Sequence, residues 1–358
     1  MNLLFPFLLS TVLGLILTPL TIWLGARFGL VDDPKTHRHP AILHAKPIVR
    51  AGGIPLYLGV AIPTLFLLPL DKAVIGILLG GLWVVGIGVL DDKFDIHPYL
   101  RFCSNLIAAL IVVVSGIGIH FITNPFGGII YLNHIIWSID LFGQHTIVVW
   151  ADLLALLWIP WTMNMLNWSK GVDGQMPGIV IIAAIVLAIL SMRTGPVNEE
   201  QWRSAFLATT LAGSMLGFLA FNWHPARIFP GYSATFAGFL LAVLAIFSTG
   251  KIATAVLVLG IPTIDAIFTV GRRMIQHHNP FFGDRLHLHH LLLDLGWKQE
   301  KIALFYWMLC AMLGIAALLL PSLGKFSAAI LITLVVGGIL LWLHAFLASD
   351  EVSGRASG

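Results

Sequence analysis

The chain has 358 residues, of which 58% are A, V, I, L, M, F, W, Y or C and only 10% are charged, with a formal net charge of +3. Soluble domains carry roughly 25% charged residues, so this chain cannot furnish a water-facing surface, and a soluble enzyme, a disordered protein and a nucleic-acid-binding module are excluded. Cys103 and Cys310 both lie within apolar stretches, which indicates neither a disulfide framework nor a zinc site.

A membrane-crossing helix needs about 20 mostly apolar residues, and helices satisfy their own backbone groups in lipid. Hydropathy predicts about eleven such segments, at 2–26, 53–70, 73–90, 102–122, 149–166, 177–193, 204–221, 232–248, 252–270, 304–320 and 326–347. The expected fold class is an all-α polytopic integral membrane protein. One multi-spanning domain covers 1–348, and 349–358 forms a flexible tail. The first segment lacks a basic leader and is too long for a signal-peptide core, so it is expected to be retained. Between the fourth and fifth segments, apolar runs around turn residues predict a small outer-face hairpin near 126–148. All basic residues but Lys72, Arg193, Arg203, Lys251 and Lys325 fall in the odd-numbered loops. The positive-inside bias then places the N-terminus outside and those loops in the cytoplasm.

The polar residues crowd the same loops. Eight of the 14 histidines occur in two of them: His37, His39 and His44, then His277, His278, His287, His289 and His290. Asp91 and Asp92 directly end an apolar run. Adjacent carboxylates repel unless a cation or proton separates them, which suits an Mg²⁺ or phosphoryl-transfer site, although a solvated helix end is the bland alternative. In NMLNWSKGVDG (164–174), Asn164 and Asn167 share one helix face ahead of a tight turn that carries Asp173. These could bind a polar head group or simply cap a helix. FNWHPARIFPG (221–231) presents Asn222, His224 and Arg227 on a rigid turn. In DRLHLHH (284–290), Asp284, Arg285, His287, His289 and His290 suggest a phosphate-binding or proton-shuttling loop, with a solvated basic loop as the alternative. Asp265 is an intramembrane carboxylate and a functional candidate on that ground, and Asp152 is a weaker one.

Taken in order, these stretches resemble the polyprenyl-phosphate N-acetylhexosamine-1-phosphate transferases, the WecA and TagO branch, related to MraY. VDDPKTHRHP and VRAGGIPL (31–40, 49–56), which include Arg50, resemble the family's first cytoplasmic loop. GVLDDKFDIHPYLRF (88–102) resembles its G-x-x-D-D motif, and NMLNWSKGVDG resembles N-x-x-N-x-x-D-G-x-D-G. FNWHPARIFPG resembles F-N-x-x-P-A-x-x-F-x-G, and IPTIDAIFTVGRR (261–273) with PFFGDRLHLHHLLLDLG (280–296) resembles the closing P-x-x-D and D-x-x-H-x-H-H stretches.

The resemblance implies transfer of N-acetylhexosamine 1-phosphate, N-acetylglucosamine 1-phosphate first among them, from a UDP-N-acetylhexosamine to undecaprenyl phosphate or a similar polyprenyl phosphate, releasing UMP. It implies a multi-pass protein of the bacterial inner membrane with a cytoplasmic active face, membrane lipid as surroundings, and a homodimer as one candidate assembly. On this reading Asp91, Asp92 and Asp173 are catalytic, and Asp91 and Asp92 hold Mg²⁺, with Mn²⁺ as a substitute. Arg50, Asn164, Asn167, Lys170, Asn222, Arg227, Asp284, Arg285, His287, His289 and His290 bind substrate. Two positions depart from the pattern: Lys170 and Tyr232 stand where the family has Asp. Metal use is therefore expected to be weakened or altered, with Lys170 able to neutralise a diphosphate in the cation's place. The alternative reading is a catalytically degenerate relative that binds lipid phosphate or nucleotide-sugar without transfer.

Overall fold

The structure is a computed structural model, and it describes residues 2–35, 44–140, 144–193, 198–247, 251–279 and 284–356. His37 and His39 of the first polar loop lie outside the described residues. In chain order the elements are α1 (Leu4–Arg27), β1 (Val31–Asp32), β2 (Ile48–Arg50), α2 (Gly53–Leu67), α3 (Lys72–Phe94) and α4 (Pro98–Val114). Next come β3 (Phe121–Thr123), β4 (Ile129–Tyr131), β5 (Ile136–Asp140), β6 (Gln144–Val148), α5 (Val149–Trp168), α6 (Gln175–Arg193) and α7 (Glu199–Asn222). The chain continues through β7 (Ile228–Phe229), α8 (Thr235–Ile246), α9 (Ile252–Val258), α10 (Gly260–Ile275), α11 (Leu288–Asp294), α12 (Gln299–Leu319) and α13 (Ser322–Ala356).

Each of the eleven apolar segments carries a helix, but length separates them. Among the described residues, seven helices are long and apolar enough to cross a membrane, or eight if α9 and α10, bent by 81° at their junction, form one broken span. The expected eleven exceeds this because α2, α4 and α8 have only 15, 17 and 12 residues, short of the ~20 that a hydrocarbon core asks for. The connection between α4 and α5 forms two antiparallel hairpins, β3–β4 and β5–β6, rather than one. Gly127 and Gly128, both at positive φ, turn the first of them.

Lipid gives no hydrophobic drive between helices, so close contact depends on small residues. Gly14 of α1 faces the Ser214 carbonyl of α7, and Gly217 of α7 faces the Thr11 carbonyl of α1, so a Cβ at either would strike backbone. Every residue of α8 is buried; it forms the centre against α3 and α5, while α1 and α13 turn rows of large apolar side chains outward.

Polar contacts gather at two ends. At the hairpin end, the Asp71 carboxylate caps α3 by accepting Val74 N–H at 2.8 Å and pairs with Arg203 of α7, and Lys325 Nζ donates to Thr254 at 2.9 Å. There Asn198 and Gln201 form a reciprocal capping box on α7. Asp152 also belongs to this end: it accepts Val148 N–H at 2.9 Å and caps α5, a structural role. At the other end, β1, β2 and β7 make a small sheet, antiparallel between β1 and β2 and parallel between β2 and β7. That sheet sets Arg50 beside Phe229 and ties the first polar loop to the turn after α7.

Candidate active site

Three polar clusters meet at this second end, and the short loop 169–174 joins them. The first cluster surrounds the end of α3. Asp92 is buried, and both of its oxygens are taken: Oδ1 accepts Tyr232 N–H at 2.5 Å and Oδ2 accepts Ser233 N–H at 3.1 Å. Arg50 Nε lies 3.3 Å from Oδ1. This grip requires the turn before α8 to approach closely. Gly231 permits it: its φ is +67°, and a Cβ there would collide with the Asp92 carboxylate. Asp91 accepts from Arg101 Nε at 2.5 Å and from Ile96 N–H at 3.0 Å on Oδ1. Its Oδ2 is buried and has no hydrogen-bond partner among the described residues. Tyr232 lies under the Arg101 guanidinium, 5.3 Å from ring centre, and its hydroxyl accepts from Asn105 Nδ2 at 3.1 Å. Burial pushes the Tyr232 phenol well above its usual range, so it stays neutral. Lys170 Nζ donates to the Gly231 carbonyl at 2.8 Å. Burial, and then the neighbouring Arg50 charge, pull the lysine down to about 7 against the opposing field of Asp92 and Asp91. A lysine so placed is driven to the charged form when an anion sits beside it.

The second cluster holds the histidines. His287 precedes α11 and shares Asp265 with it: His287 Nδ1 lies 2.8 Å from Asp265 Oδ2, and Leu288 N–H reaches Oδ1 at 2.9 Å. His287 and His289 stack with ring centres 5.6 Å apart, and His289 and His290 are 4.2 Å apart. All three are buried, which displaces the solvated-loop alternative. Burial, reinforced by the neighbouring imidazoles, holds His289 well below its usual range and His290 at about 4. Both are therefore neutral hydrogen-bonding groups near neutral pH, and the Nδ1 of each has no partner among the described residues. Gly171 lies directly against the His289 ring, where any Cβ would overlap Nε2.

The third cluster centres on Asp173. Its Oδ2 accepts from His224 Nδ1 at 2.7 Å and Ala226 N–H at 3.1 Å. Asn222 accepts Gly174 N–H at 3.1 Å and donates to the Ile228 carbonyl at 2.9 Å, fastening the loop to the turn after α7.

The sequence-derived residues thus divide. Asp91, Asp92, Arg50 and Lys170 share one cluster, His287, His289 and His290 another, and Asp173 with Asn222 the third. Asn164 donates to the Pro160 carbonyl at 2.7 Å, and the Asn167 side-chain carbonyl oxygen is buried without a partner among the described residues. Asp284 pairs with Arg272 and Arg273 at 2.7 and 2.9 Å, Arg285 pairs with Asp294 at 2.9 Å, and Arg227 is exposed. Arg101, Asn105, His224, Asp265 and Arg273 were not among the binding residues expected. His224, Asp265, Arg101 and Arg273 all lie inside the quoted motifs, and Asn105 follows three residues after one of them, but the spacing alone does not show which carboxylates the two arginines hold.

The donor set does not make a magnesium site. Mg²⁺ asks for near-octahedral oxygen ligands at ~2.0–2.1 Å. Asp92 is committed to two N–H groups and Arg50, Asp91 offers one open oxygen, and Lys170 adds a positive charge. Among the described residues, no group of three His, Cys, Asp or Glu side chains could hold a metal ion.

Comparison with known proteins agrees with the motif order. Residues 74–249 match the family described as Glycosyl transferase family 4. A Bacillus subtilis (strain 168) protein, a probable undecaprenyl-phosphate N-acetylglucosaminyl 1-phosphate transferase, is 26% identical over 97% of this chain and 91% of its own length. A Moorella thermoacetica phospho-N-acetylmuramoyl-pentapeptide-transferase is 29% identical over 89% of this chain and 98% of its own. The undecaprenyl-phosphate alpha-N-acetylglucosaminyl 1-phosphate transferase of Haemophilus influenzae is 28% identical over 85% and 84%. With these relatives spanning most of the chain and the motifs folded into one polar end, the chain is similar to the glycosyl transferase family 4 proteins and carries that family's match at residues 74–249.

Proposed function

We propose that this protein transfers N-acetylglucosamine 1-phosphate from UDP-N-acetylglucosamine to undecaprenyl phosphate or a similar polyprenyl phosphate. An oxygen of the lipid phosphate attacks the β-phosphorus of the nucleotide-sugar. A new phosphoanhydride bond forms, the bond to the α-phosphate breaks, and UMP leaves. The observation that carries this reading is the loop 169–174, which places Lys170 by Asp92, Gly171 by His289 and Asp173 by His224 at one membrane end. A lipid phosphate can reach such a site from the bilayer, and a water-soluble nucleotide can reach it from the aqueous side.

Two anions must approach each other, so the residues must cancel charge. Arg50, Arg101 and Lys170 supply the cations around Asp91 and Asp92. The neutral His289 and His290 supply hydrogen bonds to the phosphates or the sugar, and Asp265 fixes the orientation of His287. Asp173, His224 and Asn222 hold the loop against the turn after α7. The loops at this end carry the basic excess, which supports an inner-membrane location with the N-terminus outside and the site facing the cytoplasm. The non-catalytic alternative gains no support from the relatives, which are named as transferases. The test is purified protein with radiolabelled UDP-N-acetylglucosamine and undecaprenyl phosphate, extracted for lipid. Lipid-linked label with matching UMP is expected, and its absence both in EDTA and across Mg²⁺ and Mn²⁺ titrations refutes the proposal.

A further inference from the structure

The buried polar end is already supplied with positive charge. Three cations, Arg50, Arg101 and Lys170, surround two buried carboxylates, and a third carboxylate, Asp95, meets Arg101 only from solvent. The lysine stands at one position, and Tyr232 at the other, where the transferase pattern carries acids. Neither is a remnant on the surface. Lys170 is bonded to the turn that grips Asp92, and Tyr232 is buried beneath Arg101 with its hydroxyl held by Asn105. Both replaced positions therefore converge on the pair of carboxylates that a metal would need. An ammonium there repels a divalent cation, and a neutral phenol gives it little. The same ammonium is suited to phosphate: it is a compact point charge with three donors, and its one hydrogen bond among the described residues goes to a backbone carbonyl.

We propose that Lys170, with Arg50 beside it, takes the place of a divalent cation, so that this protein binds and transfers the diphosphate substrate without metal. The inference rests on the transferase reading above and assigns Lys170 a direct contact with the diphosphate. Arg50 and Arg101 keep the carboxylates paired, and the lysine is left to meet the incoming negative charge. Asp91 Oδ2 then remains a buried acceptor near the positive charge of Lys170 rather than one of several ligands to an ion.

The experiment uses the full chain in lipid nanodiscs, stripped of metal with EDTA. Binding of UDP-N-acetylglucosamine is measured by calorimetry, and lipid-linked product is measured with undecaprenyl phosphate. The nucleotide-sugar is expected to bind in EDTA as tightly as in Mg²⁺, and product is expected at a similar rate in both. Lys170→Met is expected to weaken binding roughly tenfold, equivalent to about 1.4 kcal/mol. Lys170→Arg, which keeps the charge, is expected to retain binding, and so reports on the charge even where the Met variant fails to fold. Lys170→Asp is expected to bind only when Mg²⁺ is added. Binding or product that appears only with Mg²⁺ in the unaltered protein overturns the proposal while leaving the transferase reading intact. Tight metal-free binding with no product in EDTA or Mg²⁺ refutes the transferase reading, and with it metal-free transfer, while keeping Lys170 as the contact to the diphosphate. A Lys170→Met protein that binds normally also overturns the proposal.

Discussion

Replacing Asp92 with Asn preserves shape and removes charge at the point where the most elements meet. The carboxylate accepts Tyr232 N–H on one oxygen and Ser233 N–H on the other, with Arg50 Nε 3.3 Å from Oδ1. An amide can accept on one side only, so its NH₂ must face one of the two backbone donors. That leaves a buried N–H unpaired, at about 1–3 kcal/mol. Arg50 also loses its partner, and breaking a buried ion pair from one side costs about 3–5 kcal/mol in all. For a chain of this size each kcal/mol moves Tm by roughly 2 °C, so the melting temperature in detergent should fall by roughly 5–10 °C. Asp91→Asn is the matched control: Asp91 Oδ2 has no partner among the described residues, so the amide NH₂ can occupy that side while the remaining oxygen keeps the Ile96 and Arg101 bonds. Its fall should be about half as large or less. Tryptophan fluorescence during heating reads both. An Asp92→Asn protein that melts at the same temperature as the unaltered chain would show that the 231–233 turn is not held in this way.

Further predictions concern the other two clusters and the opposite end. Gly171→Ala drives a methyl into the buried His289 ring, with an overpacking cost of about 1–3 kcal/mol; the turnover rate should fall more steeply than Tm, measured on the same preparation. Asp284 is subject to burial that would raise its pKa, but the hydrogen bond and charge of Arg273, with Arg272, bring it down to about 2. A depressed carboxylate gives stability that is complete above its unfolded value near 3.8 and lost as pH falls through about 2. Asp284→Asn should therefore remove at most about 2 kcal/mol at neutral pH and flatten the acid limb of a Tm-against-pH curve. Arg203→Met removes the pair with Asp71 at the hairpin end. It should lower Tm modestly and leave the KM for nucleotide-sugar unchanged, because the Asp71–Arg203 pair lies at the end opposite the polar clusters.

Hydropathy located the long apolar helices because lipid demands long apolar runs, but not the seven-residue α11, and by itself it cannot separate a short helix enclosed by protein from a crossing one. The buried α8 is the clearest case: its 12 residues are apolar on all sides since neighbouring helices, not lipid, surround it. The positions of the site residues were legible as motifs, but their partners were not. Asp92 meets Tyr232 across 140 residues, and Gly171 meets His289 only because α11 folds back over the loop. The parallel pairing of β2 with β7, which carries Arg50 to Asp92, involves strands of three and two residues with no pattern to reveal them. Arg285, attractive in sequence beside three histidines, points instead to Asp294, because alternate residues of an extended entry to a helix face different ways.

The most direct measurement is the identity and stoichiometry of the soluble product. Full-length protein is mixed with UDP-N-acetylglucosamine and undecaprenyl phosphate, and UMP, UDP and lipid-linked sugar are quantified together in a single turnover. Transfer of a sugar phosphate at the loop 169–174 predicts equal amounts of UMP and lipid-diphosphate-sugar, with no UDP, and loss of both in Gly171→Ala. Release of UDP in place of UMP, or no lipid-linked product in either EDTA or Mg²⁺, would contradict it.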